Sequence, residues 1–167
     1  MPSNSFCISR HAAKSRRFGE HGLISRACFA AVFCESAALN TRQSLLAAGL
    51  LGASGVCLGA FGAHALHGSL AGRGMLEVWE TAVRYQLLHA VALAGAAGWL
   101  RAGSGASGTW AVRLWIAGVV LFSGSLYGLA LGGPRWLGPV TPLGGASLIA
   151  GWACLAAFAW SLKPDER

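Results

Sequence analysis

Both tyrosines of this chain, Tyr85 and Tyr127, and three of its histidines, His64, His67 and His89, stand within or beside stretches that hold few other polar groups. His64 and His67 are three residues apart in HALH. Tyr85, Gln86 and His89 belong to YQLLH, where Tyr85 and His89 are spaced i, i+4 and Gln86 and His89 i, i+3, so a helix would put each pair side by side. Ser123, Ser125 and Tyr127 follow in FSGSLY, and Thr141 comes just after Pro139. Imidazole can move a proton near neutrality, ligate a metal or hydrogen-bond. Three histidines would suit zinc, but no carboxylate stands within the apolar stretches, and Glu77 and Glu80 lie at their margin, so no metal ligands are assigned. A network joining His64, Tyr85, His89 and Tyr127 is expected. It would either tie helices together by hydrogen bonds or form a ligand, proton or ion site.

Other chemistry has little footing. The order of residues contains no Ser-His-Asp arrangement and no nucleophile elbow. GASG lies inside an apolar run, and RAGSGASG is a short loop with no GK[ST] after it, so neither reads as a nucleotide site. No catalytic residue and no cofactor is assigned. The cysteines, Cys7, Cys28, Cys34, Cys57 and Cys154, are odd in number and show no CxxC pair, which points to neither a disulfide framework nor a thiolate site.

The elements that carry the polar residues follow from where charge is missing. Charged residues make up 11% of the chain and hydrophobic ones 54%, against roughly 25% charged in an average soluble domain. Such a chain lacks the polar shell a soluble fold needs. A membrane-spanning helix takes about 20 mostly apolar residues, and four stretches qualify. One lies near 44–65. A second runs near 75–101, its entry marked by Trp79 and by Glu80 and Arg84, spaced to pair. The third lies near 114–133 between Arg113 and Arg135, and the fourth near 141–162 before Lys163. The runs are rich in Ala, Leu and Gly without the alternation of a barrel strand. The expected fold is an all-α membrane protein, four transmembrane helices in an up-down bundle, with the lipid bilayer as its surroundings. The net charge of +7 is flanking charge on such a protein; no polar domain exists to present a basic face to nucleic acid.

Four spans place both termini on one side, with Arg101, Arg113, Lys163, Arg167 and the basic tail. Arg73, Arg84 and Arg135 fall on the other. The positive-inside rule then puts both termini in the cytoplasm. In this topology the first and third spans end, and the second and fourth begin, on the side opposite the termini. His64, Tyr85, Gln86, His89, Ser123, Ser125, Tyr127 and Thr141 are all expected in that half of the bundle. Residues 1–43 are basic and poor in acids; they fit a disordered tail, a cleaved targeting sequence or, as favoured here, an over-extended start. Residues 163–167 form a short C-terminal tail.

Helices in lipid approach closely through small residues. The first span carries Gly49, Gly52, Gly55, Gly59 and Gly62 along one face. The third carries Gly124, Gly128 and Gly132, the fourth Ser147 and Gly151, and the second Ala90, Ala94 and Ala97. These stripes serve packing within the bundle or an interface with a second copy.

GAFGAHAL at 59–66, YQLLH at 85–89, FSGSLY at 122–127, TPLGG at 141–145 and GW at 151–152 occur in that order. In this the chain resembles the YgdD/YwdK-like family of small bacterial inner-membrane proteins, which has small eukaryotic transmembrane relatives. The match covers about residues 42–162 and leaves out the tail. The resemblance implies a four-helix protein of the bacterial inner membrane whose function is uncharacterised, and it implies that the polar cluster belongs to the family's signature. A non-enzymatic membrane protein working with a second copy or another membrane protein is the first expectation. A small transporter or channel for a proton, ion or small solute is the second, and a membrane redox or metal enzyme with histidine ligands the third.

Overall fold

The structure, a computed structural model, describes residues 41–102 and 106–162. The expectations for the basic tail and for 163–167 fall outside the described residues. Within them the chain forms five α-helices and no strand: α1 Thr41–Ala63, α2 His67–Gly72, α3 Leu76–Ala102, α4 Ala106–Ala130 and α5 Leu137–Ser161. Four long helices thus occur where four spans are expected. Among the described residues three of them, α1, α4 and α5, are long and apolar enough to cross a membrane, with mean hydropathies of 1.8, 1.5 and 1.6. The longest, α3, has 27 residues, but Glu77, Glu80 and Arg84 in its first turns and Arg101 near its end dilute its apolar character.

The helices pack in sequence order, α1 on α3, α3 on α4 and α4 on α5, with the last pair in the most extensive contact. Each pair is antiparallel. Ser44 of α1 meets Leu93 of α3, Ser54 meets Gln86, and Leu58 meets Trp79. Ser123 of α4 meets Ala82, while Trp115 stands against His89. Ser125 meets Thr141 of α5, and Leu114 meets Ser147.

Helix ends differ from the sequence expectation most at α4. It begins at Ala106, about two turns before 114, so Arg113 lies within the helix. Its guanidinium sits 5.2 Å over the Trp110 ring, a cation–π placement. The short α2 has no counterpart among the expected spans. Its six residues are too few to show a helical period. It nevertheless closes the end of the bundle opposite Thr41 and Ser161, because its Leu70 is buried against Trp79 and Ala130. A larger apolar cluster, with Leu93, Val112, Trp115, Val119 and Leu148, fills the bundle toward the other end.

The glycines divide by what faces them. A Cβ on Gly55 would come within 2.7 Å of Leu87, and one on Gly59 within 3.3 Å of Val83, so both serve the contact of α1 with α3. At the α4–α5 contact a Cβ on Gly144 would lie 2.7 Å from the Phe122 Cα and still closer to its N, and one on Gly151 would lie 2.5 Å from Trp115. The expected stripe of Gly124, Gly128 and Gly132 does not hold as one face. Gly128 meets Leu137, whereas Gly124 is exposed with nothing within 4 Å of its Cβ position. Gly132 lies beyond the end of α4 at φ +86°, a left-handed conformation suited to glycine after a helix, and the Arg73 side chain lies against it. The stripe fails because the helix stops at Ala130, before its third member.

Adding one carbon therefore separates the two kinds of position. Gly144→Ala, facing main chain that cannot swing aside, is expected to lower stability by about 1–3 kcal/mol, and Gly124→Ala to leave it within about 0.5 kcal/mol. Unfolding in detergent micelles followed by circular dichroism measures both. Equal effects would contradict this account of the α4–α5 contact.

Candidate functional site

Gln86 makes three side-chain hydrogen bonds within the bundle. It is buried on α3. Its Nε2 donates to the Leu51 carbonyl at 2.9 Å and to Ser54 Oγ at 2.8 Å, both on α1, and its Oε1 accepts from the Tyr127 hydroxyl of α4 at 3.0 Å. One amide thereby joins three helices. Ser54 in turn donates to the Leu50 carbonyl one turn back on its own helix at 2.7 Å. The Tyr127 ring packs edge-on against Trp79 at 4.7 Å between centroids.

His89 forms a second group. It is the central residue of α3 and is 2% exposed. Its Nδ1 lies 2.8 Å from the Tyr85 carbonyl, and its Nε2 accepts from the Trp152 indole N–H at 3.2 Å. That pattern makes Nδ1 the protonated nitrogen and the ring a neutral bridge between α3 and α5. Trp115, Trp152 and Tyr85 surround it. Trp115 Nε1 is buried with no hydrogen-bond partner, and it lies against Gly151.

The third group is the Ser125–Thr141 pair, with the two hydroxyls 2.7 Å apart, linking α4 to the start of α5. Thr141 also reaches the Leu137 carbonyl at 3.4 Å. Pro142 next to it has no N–H to give the helix. Ser123, 1% exposed, donates to the Ala82 carbonyl of α3 at 2.9 Å.

The single network expected of His64, Tyr85, His89 and Tyr127 is thus replaced by three separate groups. His64 is exposed just past the end of α1 and joins none of them. Tyr85 is 40% exposed; it contributes its carbonyl to His89, and its ring lies 4.7 Å from Phe122. Gln86, Tyr127, Ser125 and Thr141 lie toward the α2 end of the bundle, whereas His89 is at mid-height. Among the described residues no cluster of three or more His, Cys, Asp or Glu side chains converges on one point. Glu80 and Arg84, spaced to pair, form no ion pair there; both line a cavity between α1 and α3.

Several working side chains escape a reading of the sequence. Ser44 donates to the Leu93 carbonyl, Ser147 to the Leu114 carbonyl and the Trp79 indole to the Leu58 carbonyl, at 2.8, 2.8 and 3.0 Å. Trp152 is visible there only as half of a GW dipeptide. The one signal is polarity: a hydroxyl or indole inside an apolar run must find an acceptor.

Residues 58–145 match a protein family of unknown function, DUF423. The chain is 39% identical over 127 residues to the UPF0382 inner membrane protein YgdD of Escherichia coli K12, covering 75% of this chain and 95% of the relative. It is 45% identical over 105 residues to the UPF0382 membrane protein YwdK of Bacillus subtilis, covering 62% and 85%. A UPF0382 membrane protein of Staphylococcus haemolyticus is 48% identical over 97 residues, covering 58% and 78%. No solved structure matches the chain.

The hydrogen bonds rank the side chains by their cost of removal. Gln86→Leu removes three bonds and strands the Tyr127 hydroxyl, with an expected loss of about 1–3 kcal/mol. Trp152→Phe removes one bond, a loss of about 0.6 kcal/mol, the average for such bonds in membranes. Unfolding titrations with sodium dodecyl sulfate in mixed micelles give both values, and the reverse order would refute Gln86 as the principal tie.

Proposed function

Because the chain belongs to the DUF423 family, whose UPF0382 members are membrane proteins of uncharacterised function, we propose that it is a four-span protein of the bacterial inner membrane. In this reading both termini are cytoplasmic, and the protein acts without catalysis through contacts with a second copy or another membrane protein. Its inner-membrane placement follows the YgdD relative. The fourth span is α3. It takes its place because it packs antiparallel between α1 and α4, and because its stretch from Tyr85 to Leu100 carries no charged residue, with His89 neutral.

The observation that carries the non-catalytic reading is the state of Gln86. Both ends of its amide are engaged by neighbouring helices, so the hub of the polar cluster ties helices together and presents nothing to a substrate. The same engagement weighs against a transport path through this region. A protein whose interior polar groups are used up in this way acts through its outer surface. That surface carries large apolar side chains on every long helix, Leu50 on α1, Val91 on α3, Val120 on α4 and Ile149 on α5 among them.

Topology and assembly are tested together. In a cysteine-free background, Ser69→Cys, exposed on α2 ahead of α3, is expected to react with a membrane-impermeant maleimide added to intact cells, and Ser104→Cys, after α3 in the chain, only after permeabilisation. Labelling of both from the same side would overturn the four-span reading. Photo-crosslinkers placed at Val91 and Ile149 in the membrane are expected to yield a discrete adduct, either a dimer or one defined partner. Monomer alone from both positions, together with solute flux in proteoliposomes, would overturn the interaction role in favour of transport.

A further inference from the structure

The cavity between α1 and α3 has features that the bundle itself does not use. It measures ≈ 320 Å³, and its wall includes Gly59 and Gly62 of α1, Trp79 and Val83 of α3, and the charged side chains of Glu80 and Arg84. His67 stands at its mouth, at the start of α2. The α1 wall is glycine, and the Trp79 indole lies against Gly62 and donates to the Leu58 carbonyl.

Charge is ordered along the groove. α3 runs inward from Leu76, so Glu80 is the outer charge and Arg84 the inner one. Four residues of helix separate them by about 6 Å along the axis. Arg84 is exposed on the side of α3, at the level of the last two turns of α1, since Val83 next to it faces Gly59. An arginine at that depth on the outside of a bundle needs an anionic partner or a route to the headgroup layer. Among the described residues it has no ion pair, and Glu80, the nearest candidate along the helix, does not supply one.

We propose that this groove seats a phospholipid with an ethanolamine headgroup, in the leaflet on the α2 side. The reading rests on α3 being a span. The phosphate is held by Arg84, whose forked guanidinium suits phosphate oxygens. The ammonium, across the ethanolamine linker and nearer the water, meets the Glu80 carboxylate. His67 adds a hydrogen-bonding group at the mouth. The glycerol and upper acyl chain lie on the apolar floor by Gly59 and Val83. A glycerol headgroup would satisfy Arg84 through its phosphate but bring no cation to Glu80, and a trimethylated ammonium would lose the N–H donors.

The test is lipid retention by the purified full-length protein, read by native mass spectrometry after equilibration with mixed micelles of equal phosphatidylethanolamine, phosphatidylglycerol and phosphatidylcholine. The wild type is expected to retain phosphatidylethanolamine above the other two. Glu80→Gln is expected to reduce its preference over phosphatidylglycerol about fivefold, the upper worth of one exposed ion pair, and Arg84→Gln to lower retention of all three. Should Arg84→Gln not be recovered folded, Glu80→Gln decides alone, because its side chain is exposed. Equal retention of the three lipids by wild type, or an unchanged preference in Glu80→Gln, would overturn the proposal. So would displacement of the lipid by phosphoethanolamine or inorganic phosphate at matched concentration, which would assign the groove to a soluble anion. These outcomes leave the span itself untouched, because maleimide labelling of Ser69→Cys and Ser104→Cys, on either side of α3 in the chain, reads that separately.

Discussion

A hydroxyl or amide inside a lipid-embedded bundle has no water to turn to, and its hydrogen bond must come from the protein. That constraint organises this molecule. Ser44, Ser123 and Ser147 each donate to a main-chain carbonyl of the neighbouring helix, as do Gln86 and the Trp79 indole. Together they link α1 to α3, α3 to α4 and α5 to α4. A side chain as short as serine reaches a neighbour's carbonyl only when two backbones lie close together. The polar contacts and the glycine contacts are for that reason two descriptions of one geometry. Gly144 against the Phe122 backbone and Gly151 under Trp115 bring α5 close to α4, and Ser147 between them makes its bond at 2.8 Å.

The bundle is layered along its length. One apolar cluster, built around Trp115, Leu93 and Leu148, occupies the end toward Thr41 and Ser161. A smaller one, around Leu70, Trp79 and Ala130, closes the opposite end. Between them lies the polar layer of Gln86, Tyr127, Ser125 and Thr141. α2 is what makes the smaller cluster a closed one, because Leu70 supplies the cover that a plain loop would lack. Arg73, just after α2, lies over Gly132 in the α4–α5 connection, so the two connections at this end are held to each other as well.

The sequence displays this fold unevenly. Four charge-free runs announce four long helices, and short connections make neighbours antiparallel. The i, i+3 spacing in YQLLH sets Gln86 and His89 on adjoining turns, and both are buried, but it cannot say that the two look toward different partners, one to α1 and α4, the other to α5. Helical phase between elements decides that, and a single sequence does not carry it. Gly124 shows the same limit: the GxxxG spacing is real, yet Gly128 packs against Leu137 while Gly124 faces outward. α2 is too short for periodicity to detect. Charge is legible in position but not in use. Arg84 and Glu80 read from spacing as an intrahelical pair, whereas in the structure they stand apart on the wall of one groove.

The choice of main-chain carbonyls as acceptors has a consequence for how such a bundle drifts over time. When Ser44 bonds to the oxygen of Leu93, or Ser123 to that of Ala82, the accepting residue is free to change its side chain without losing the bond. Each of these joints is written at one position of the chain and not at two. Substitutions on the accepting helix need no compensating partner, so these joints would leave little paired variation between descendants, while side-chain pairs such as Gln86 with Tyr127 would leave more.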